Sequence, residues 1–508
     1  MYSRRYLARL MRYWILTALL WLGSGQNSWA QRLAYTIEAA PQLPNALRVT
    51  LTYTTADTTA TIFRYANDNW GETGLGACLA EVQANVPIQR KTVGDLVVLT
   101  VQHRPRQRVQ LSYFVRPDRT DTLSYERTYR PIIEQGYFHL YGYGLFVQPA
   151  RYWTTAEAQQ RVRVRWHLPS GWKLLTSLAP QTARQVVVNG PASMLESSVF
   201  VGGDLQVRKL PVGGEPVWFA TRPFQSLALD SAARHLQLAV RAQRAFWRDA
   251  SQGSLAVTLL PTYERRPIDP NRRHLSVSGT ALLNSFSAFA TDADGLGPEI
   301  AERVDYLFFH ELMHHWIGKQ IRLRKEEQQY WFSEGFTEYF QTQLRLRMQV
   351  LNPAQYVQEL NQDFVSALSR SPVRNVPNDS ITYHHFWTNR DYEKLPYRRG
   401  FLFALYLDTQ LKQTTSYSLA DCLRVMLARS YTTNKKGFTD PELLTLIKEV
   451  TGVDPTPAYQ RYIQQGQSID FSSVALPPGL RVQSTTDNIP LFELAPAQRE
   501  EFYQFMVR

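Results

Sequence analysis

The sequence predicts a multidomain α+β protein, and three observations carry that reading. From about Leu33 to Leu210 the chain runs in short segments that alternate apolar and polar residues and are separated by turns. Such period-two alternation, rich in β-branched and aromatic residues, is the pattern of half-buried strands in a β-sandwich-like domain. Near Ser226 the period changes to that of amphipathic helices, and beyond Glu334 it stays mainly helical. With 508 residues, the chain is long enough for about two to four domains with separate cores.

Residues 1–30 stand apart. MYSRRYLARLMR is basic, YWILTALLWLG is apolar but short for a membrane span, and NSWA-Q offers a cleavage site after Ala30. This reads as a signal peptide and directs the mature chain to a secreted or periplasmic location; an uncleaved anchor is the alternative. No cysteine follows the apolar run, which argues against a lipoprotein, and no later stretch is apolar enough to span a membrane.

Residues 31–215 form the β-rich part, with strands predicted at 46–53, 97–101, 108–115, 161–167 and 185–189. The aromatic stretch 137–146 reads as core or inter-domain packing, ahead of a substrate-facing wall. Residues 216–345 mix a helix at 227–250, a buried strand at 255–260 and a strand-like edge segment at 275–290. Asp292 and Asp294 in the loop 291–297 read as a turn before a calcium site. A helix at 299–317 comes next. Further helices are predicted at 336–348, 353–368, 397–411, 420–429 and 441–450, with Gly452 as C-cap. The helical part ends at 471, and residues 472–508 form a tail with a short helix at 500–507.

Aromatics at 12% and charged residues at 20% are those of an ordinary globular protein. The formal charge is +12, of which Arg4, Arg5, Arg9 and Arg12 lie in residues 1–30 without a balancing acid. Arginines alternate from Arg161 to Arg165 as on a solvated strand face, and no nucleic-acid motif accompanies them. Cys78 and Cys422 leave open one long-range disulfide or two buried thiols, and their spacing suits no metal.

The chemistry gathers at 310–340. His310 and His314 stand four apart, so on a helix they share a face and can bind one metal ion, with Glu311 between them as general base. Nineteen residues separate His314 from Glu334, which sits in an SEGFTEYF stretch and completes a His2Glu zinc site with a fourth position for water. Glu338, one turn on, can accept the free N–H of a ligand histidine; a solvated glutamate is the equal alternative. Tyr397, at what reads as a helix start, is the candidate donor to the oxyanion. His315 points away from the ligand face, and His384 with His385 read as packed or surface residues.

These residues resemble the gluzincin clan of zinc metallopeptidases, which includes aminopeptidase N, and are most similar to its glycyl aminopeptidase family. The likeness rests on HELMH at 310–314, WFSEGFT at 331–337 and PYRRG at 396–400, and runs from about residue 220 to 470. It implies a thermolysin-like zinc catalytic domain between the β domain and a helical C-terminal domain, one Zn2+ per chain, and Tyr397 as transition-state stabiliser. Three features differ. The spacing to Glu334 is nineteen rather than eighteen residues, too few residues follow 471 for the PDZ domain often found in that family, and Gly279-Thr-Ala-Leu-Leu-Asn284 has no acid where the family's amine-binding glutamate stands. Glu299 or Glu302 is the candidate substitute. The expected activity is zinc-dependent peptide hydrolysis, exo- or endopeptidase; the alternatives are a non-peptide zinc hydrolase and a catalytically silent peptide-binding scaffold. The expected partner is a peptide or protein substrate, with no nucleic acid and no stable membrane span after signal cleavage; oligomeric state is left open.

Overall fold

The computed structural model describes residues 32–39, 45–56, 58–119, 128–153, 158–179, 183–249, 253–263, 276–295, 297–325, 328–435, 437–484 and 489–508. The expected signal peptide lies outside the described residues. No described helix is long and apolar enough to cross a membrane.

The β-rich part holds a six-stranded sheet in the order Gln185–Pro191, Gln159–His167, Arg32–Glu38, Leu47–Thr54, Arg108–Val115, Leu79–Ala84. Arg32–Glu38 lies inside this sheet, parallel to Gln159–His167 on one side and antiparallel to Leu47–Thr54 on the other. A four-stranded sheet built on Ala60–Ala66 and Leu96–Gln102 shares its core: Tyr35, Val49 and Leu51 from the first meet Phe63, Val97 and Leu99 from the second. The alternating apolar residues of each strand fill that interior, as period-two patterning requires.

A third sheet, ordered Lys173–Thr176, Val199–Gly203, Tyr137–Tyr141, Ile132–Glu134, joins the β-rich part to the mixed α/β part beyond it. Phe138, Leu140 and Phe200 enter the β core, whereas Tyr137 and Val201 point the other way and pack on Ala256, Leu260 and Phe289. The aromatic stretch is thus packing between parts, its two faces split by strand alternation.

The next sheet has five strands in the order Gln206–Leu210, Val217–Thr221, Leu255–Thr262, Ser285–Thr291, Val277–Leu282. The middle three are parallel, and both edges are antiparallel. Its first strand, Gln206–Leu210, pairs with Val217–Thr221 as a hairpin. The segment 275–290 resolves into two strands joined by a turn at Leu283-Asn284, with Asn284 at φ 47°. Helices Leu229–Trp247 and Gly297–Met313 pack on this sheet, and the helices behind them extend the same core.

Three helical details differ from expectation. The helix carrying His310 ends at Met313, and residues 314–316 continue as tighter turns, with His314 N–H donating to Glu311 O at 3.3 Å. The helix carrying Tyr397 is Arg390–Thr414 and begins at an Asn389 cap that accepts from Asp391 and Tyr392 N–H; Pro396 lies inside it, one lost backbone bond that packing tolerates. The tail is built into the fold, since the hairpin Leu480–Ser484 with Pro490–Leu494 and the helix Arg499–Val507 bury Phe492, Phe502 and Met506 in the main core.

Candidate active site

His310 sits in the last turn of Gly297–Met313, 5% exposed, and His314 lies just past the helix end. His314 Nδ1 stands 3.2 Å from Ile317 O, a contact that fixes Nδ1 as the donor and leaves Nε2 free to ligate. Gly318, at φ 95°, turns the chain back there. The two Nε2 atoms are 3.2 Å apart, and each is 3.4 Å from Glu334 Oε2. Ligand distances of about 2.0–2.2 Å at tetrahedral angles place neighbouring donors about 3.3–3.6 Å apart. Two imidazole nitrogens and one carboxylate oxygen converging at these separations fit a single zinc ion, and they form the one metal-binding group found among the described residues.

Glu334 lies at the junction of the short helix Tyr330–Ser333 and the helix Gly335–Arg347. What brings Tyr397 to it is a crossing of two glycines. A Cβ on Gly335 would stand 2.3 Å from Gly400 Cα, and one on Gly400 would stand 1.9 Å from Trp331 O. Backbone meets backbone at that point, so the Tyr397 helix passes directly over the Glu334 junction. Tyr397, one turn before Gly400, lies parallel to the His310 ring at a centroid distance of 6.2 Å and 9°. Burial, then Glu334, Glu393 and Glu311, raises its pKa well above the usual phenol value, so its hydroxyl stays a donor.

Glu338 stands behind His310, with Oε1 3.4 Å from His310 Nδ1. It accepts from the Tyr306 hydroxyl and, through Oε2, from Gln341 Nε2 at 3.0 Å. Burial opposes charge on His310, yet Glu338 and Glu334 hold its pKa well above the ordinary imidazole value. Burial likewise opposes charge on Glu334, but His314 and His310 pull its pKa far below the usual carboxylate range. Glu311, half-buried, is within electrostatic reach of His310, Tyr397 and Lys319.

The acid-free segment forms the outer strand Val277–Leu282 and its turn. Tyr129 donates its hydroxyl to Gly279 O at 3.3 Å, and Lys319 Nζ donates to Leu282 O at 2.8 Å. Burial pushes the Lys319 pKa down to about 7, against the pull of Glu311. Glu302 and Glu299, at 1.5 Å per residue, stand about 12 and 16 Å up the helix axis from His310. Asp292 is a turn residue: its Oδ1 accepts from Ser226 N and Oγ at 2.9 and 2.6 Å. His315 lies outside the ligand group, His384 is exposed, and His385 stacks on Tyr392. Both cysteines are free and buried. Sequence reasoning missed Tyr306, though its place one turn before His310 on the same helix face was a usable signal. It also missed Lys319 and Tyr129, whose partners are distant in sequence.

Residues 304–399 match the family model described as M61 glycyl aminopeptidase. No curated protein of matching sequence is found. The fold is similar to that of an aminopeptidase N family protein from Idiomarina loihiensis, at 16% identity and TM-score 0.72, covering 89% of this chain and 79% of that one. It is also similar to the M1 zinc metallopeptidase of Deinococcus radiodurans, at 17% identity and TM-score 0.51, over 88% and 96% of the two chains. Yeast LTA4 hydrolase, solved with bestatin, aligns at 13% identity and TM-score 0.51 over 88% of this chain and 70% of its own. These likenesses bear out the multidomain α+β architecture of aminopeptidase N type.

Proposed function

We propose that this chain, a gluzincin-type zinc metallopeptidase by its catalytic segment, hydrolyses peptide bonds outside the cytosol. The observation that carries the reading is the convergence of His310 Nε2, His314 Nε2 and Glu334 Oε2 at 3.2–3.4 Å, beside Glu311 and under the Tyr397 ring. When bound there, zinc supplies Lewis-acid polarisation of the scissile carbonyl and makes water a better nucleophile near neutral pH. Glu311 takes the proton from the attacking water and delivers it to the leaving amine. Tyr397 donates its hydroxyl to the oxygen that becomes negative. Glu338, its Oε1 3.4 Å from His310 Nδ1, favours the tautomer that leaves Nε2 free to ligate. The domain division at 31–215, 216–345 and 346–471 belongs to the same proposal, as does export through residues 1–30.

A solved form of the Deinococcus radiodurans metallopeptidase holds a Tyr-Ser-Ala substrate, and a short peptide is the substrate proposed here. The test is zinc stoichiometry together with hydrolysis of a mixed peptide library by the wild type and Glu311→Gln. One zinc per chain in both proteins, with cleavage lost only in the variant, is the expected result; the cut positions then assign exo- or endopeptidase action. Zinc bound without cleavage by the wild type would overturn the peptidase reading in favour of another substrate.

A further inference from the structure

The solvent face of the six-stranded sheet carries positive charge with little acid to balance it. Strand alternation and register decide which side chains share that face. Arg161, Arg163 and Arg165 occupy every second position of Gln159–His167, all exposed, about 6.6 Å apart along the strand. Arg48 and Arg108 are exposed on the same face, two and three strands away. Arg161 and Arg163 have no carboxylate partner among the described residues, and Arg165 Nε reaches only Gln185 Oε1, at 2.9 Å. Two acids offset this row among the described residues: Glu38, in register with Arg48, and Glu81 at the sheet edge, which Arg116 pairs at 2.7 Å. Between the arginines lie the short side chains of Ala34, Thr36, Thr50 and Thr52.

We propose that this face docks on an anionic lipid bilayer, its guanidinium groups binding headgroup phosphates. Arginine's planar fork suits phosphate oxygens, and a row of unbalanced cations is complementary to an anionic surface. Nucleic acid offers the same phosphate chemistry, and a preference for it over vesicles is one outcome of the experiment. None of these arginines belongs to the metal-binding group, so docking and hydrolysis are separable.

The experiment is co-sedimentation of the purified protein with vesicles of phosphatidylcholine plus phosphatidylglycerol, and with phosphatidylcholine alone, at low and high salt. The wild type is expected to bind the anionic vesicles and to be released by salt. Combining Arg161→Gln, Arg163→Gln and Arg165→Gln is expected to weaken that binding about a hundredfold, with zinc content and peptide hydrolysis unchanged, while the three Arg→Lys changes retain most of it. A retained apolar N-terminus inserts into neutral vesicles too, so phosphatidylcholine alone separates that source of binding. Equal binding to neutral and anionic vesicles, full binding by the glutamine variant, or preference for duplex DNA over anionic vesicles at equal salt would each overturn the proposal.

Discussion

Tyr397 and Glu338 both stand against His310, the first with its ring parallel at a centroid distance of 6.2 Å and the second 3.4 Å from Nδ1. If the phenol meets the developing oxyanion, Tyr397→Phe lowers kcat about 10²–10³-fold with zinc content unchanged and KM little moved, as steady-state kinetics on a peptide substrate will show. In the metal-free site, burial and the neighbouring carboxylates raise the phenol's pKa, so the hydroxyl keeps its proton through the neutral range; tyrosinate absorbance below about pH 8 in the metal-free wild type that is missing from Tyr397→Phe would contradict this. Glu338→Gln removes the charged acceptor behind His310 and is expected to weaken zinc binding about 10–100-fold, measured by competition with a chelator. The ligands themselves were legible because HELMH and WFSEGFT stand close together in the chain, and helical spacing turns sequence distance into a shared face. Lys319 and Tyr129 were not, since each owes its position to the outer strand Val277–Leu282.

At the scale of elements, the site depends on the crossing at Gly335 and Gly400. Gly400→Ala forces its Cβ into the Trp331 carbonyl and the Gly335 Cα, and the two helices must separate. The cost is about 1–3 kcal/mol from overpacking, but the site suffers more, because Glu334 and Tyr397 move apart together. Zinc affinity and kcat are both expected to fall at least tenfold, whereas Tyr397→Phe leaves zinc affinity alone; isothermal titration beside kinetics distinguishes the two. The sequence marked both glycines within their motifs without showing that they touch. It also placed a helix start at Tyr397, which lies inside the helix that the Asn389 cap opens at Arg390.

Across the whole molecule, one buried ion pair ties distant segments together. Asp408 and Lys412, each with a side chain 2% exposed, stand 2.9 Å apart. Asp408 also accepts from Tyr339 Oη at 2.6 Å and Leu419 N at 2.7 Å, and Lys412 donates to Phe505 and Met506 carbonyls. Asp408→Asn leaves the ammonium buried without its partner and is expected to cost about 3–5 kcal/mol, read as a lower midpoint in thermal or urea unfolding. Burial raises the Asp408 pKa, but Lys412 and Tyr339 prevail and lower it. A depressed carboxylate contributes fully above its unfolded value, near 3.9. The difference between wild type and variant is therefore expected to hold at neutral pH and to shrink as pH falls below about 4. Fold class was legible at this scale because periodicity reports burial strand by strand. The partnering of segments far apart in sequence, such as the tail hairpin with the helical core, was not, since hydrophobic pattern names a buried face but not its partner. The placement of Arg32–Glu38 inside the six-stranded sheet has a consequence for how the chain is made. Its partner Leu47–Thr54 comes at once, but the parallel neighbour Gln159–His167 emerges more than a hundred residues later. At about 5–20 residues per second, synthesis leaves one edge of Arg32–Glu38 without its cover on the order of ten seconds, and an open edge of that kind is a template for pairing with another chain.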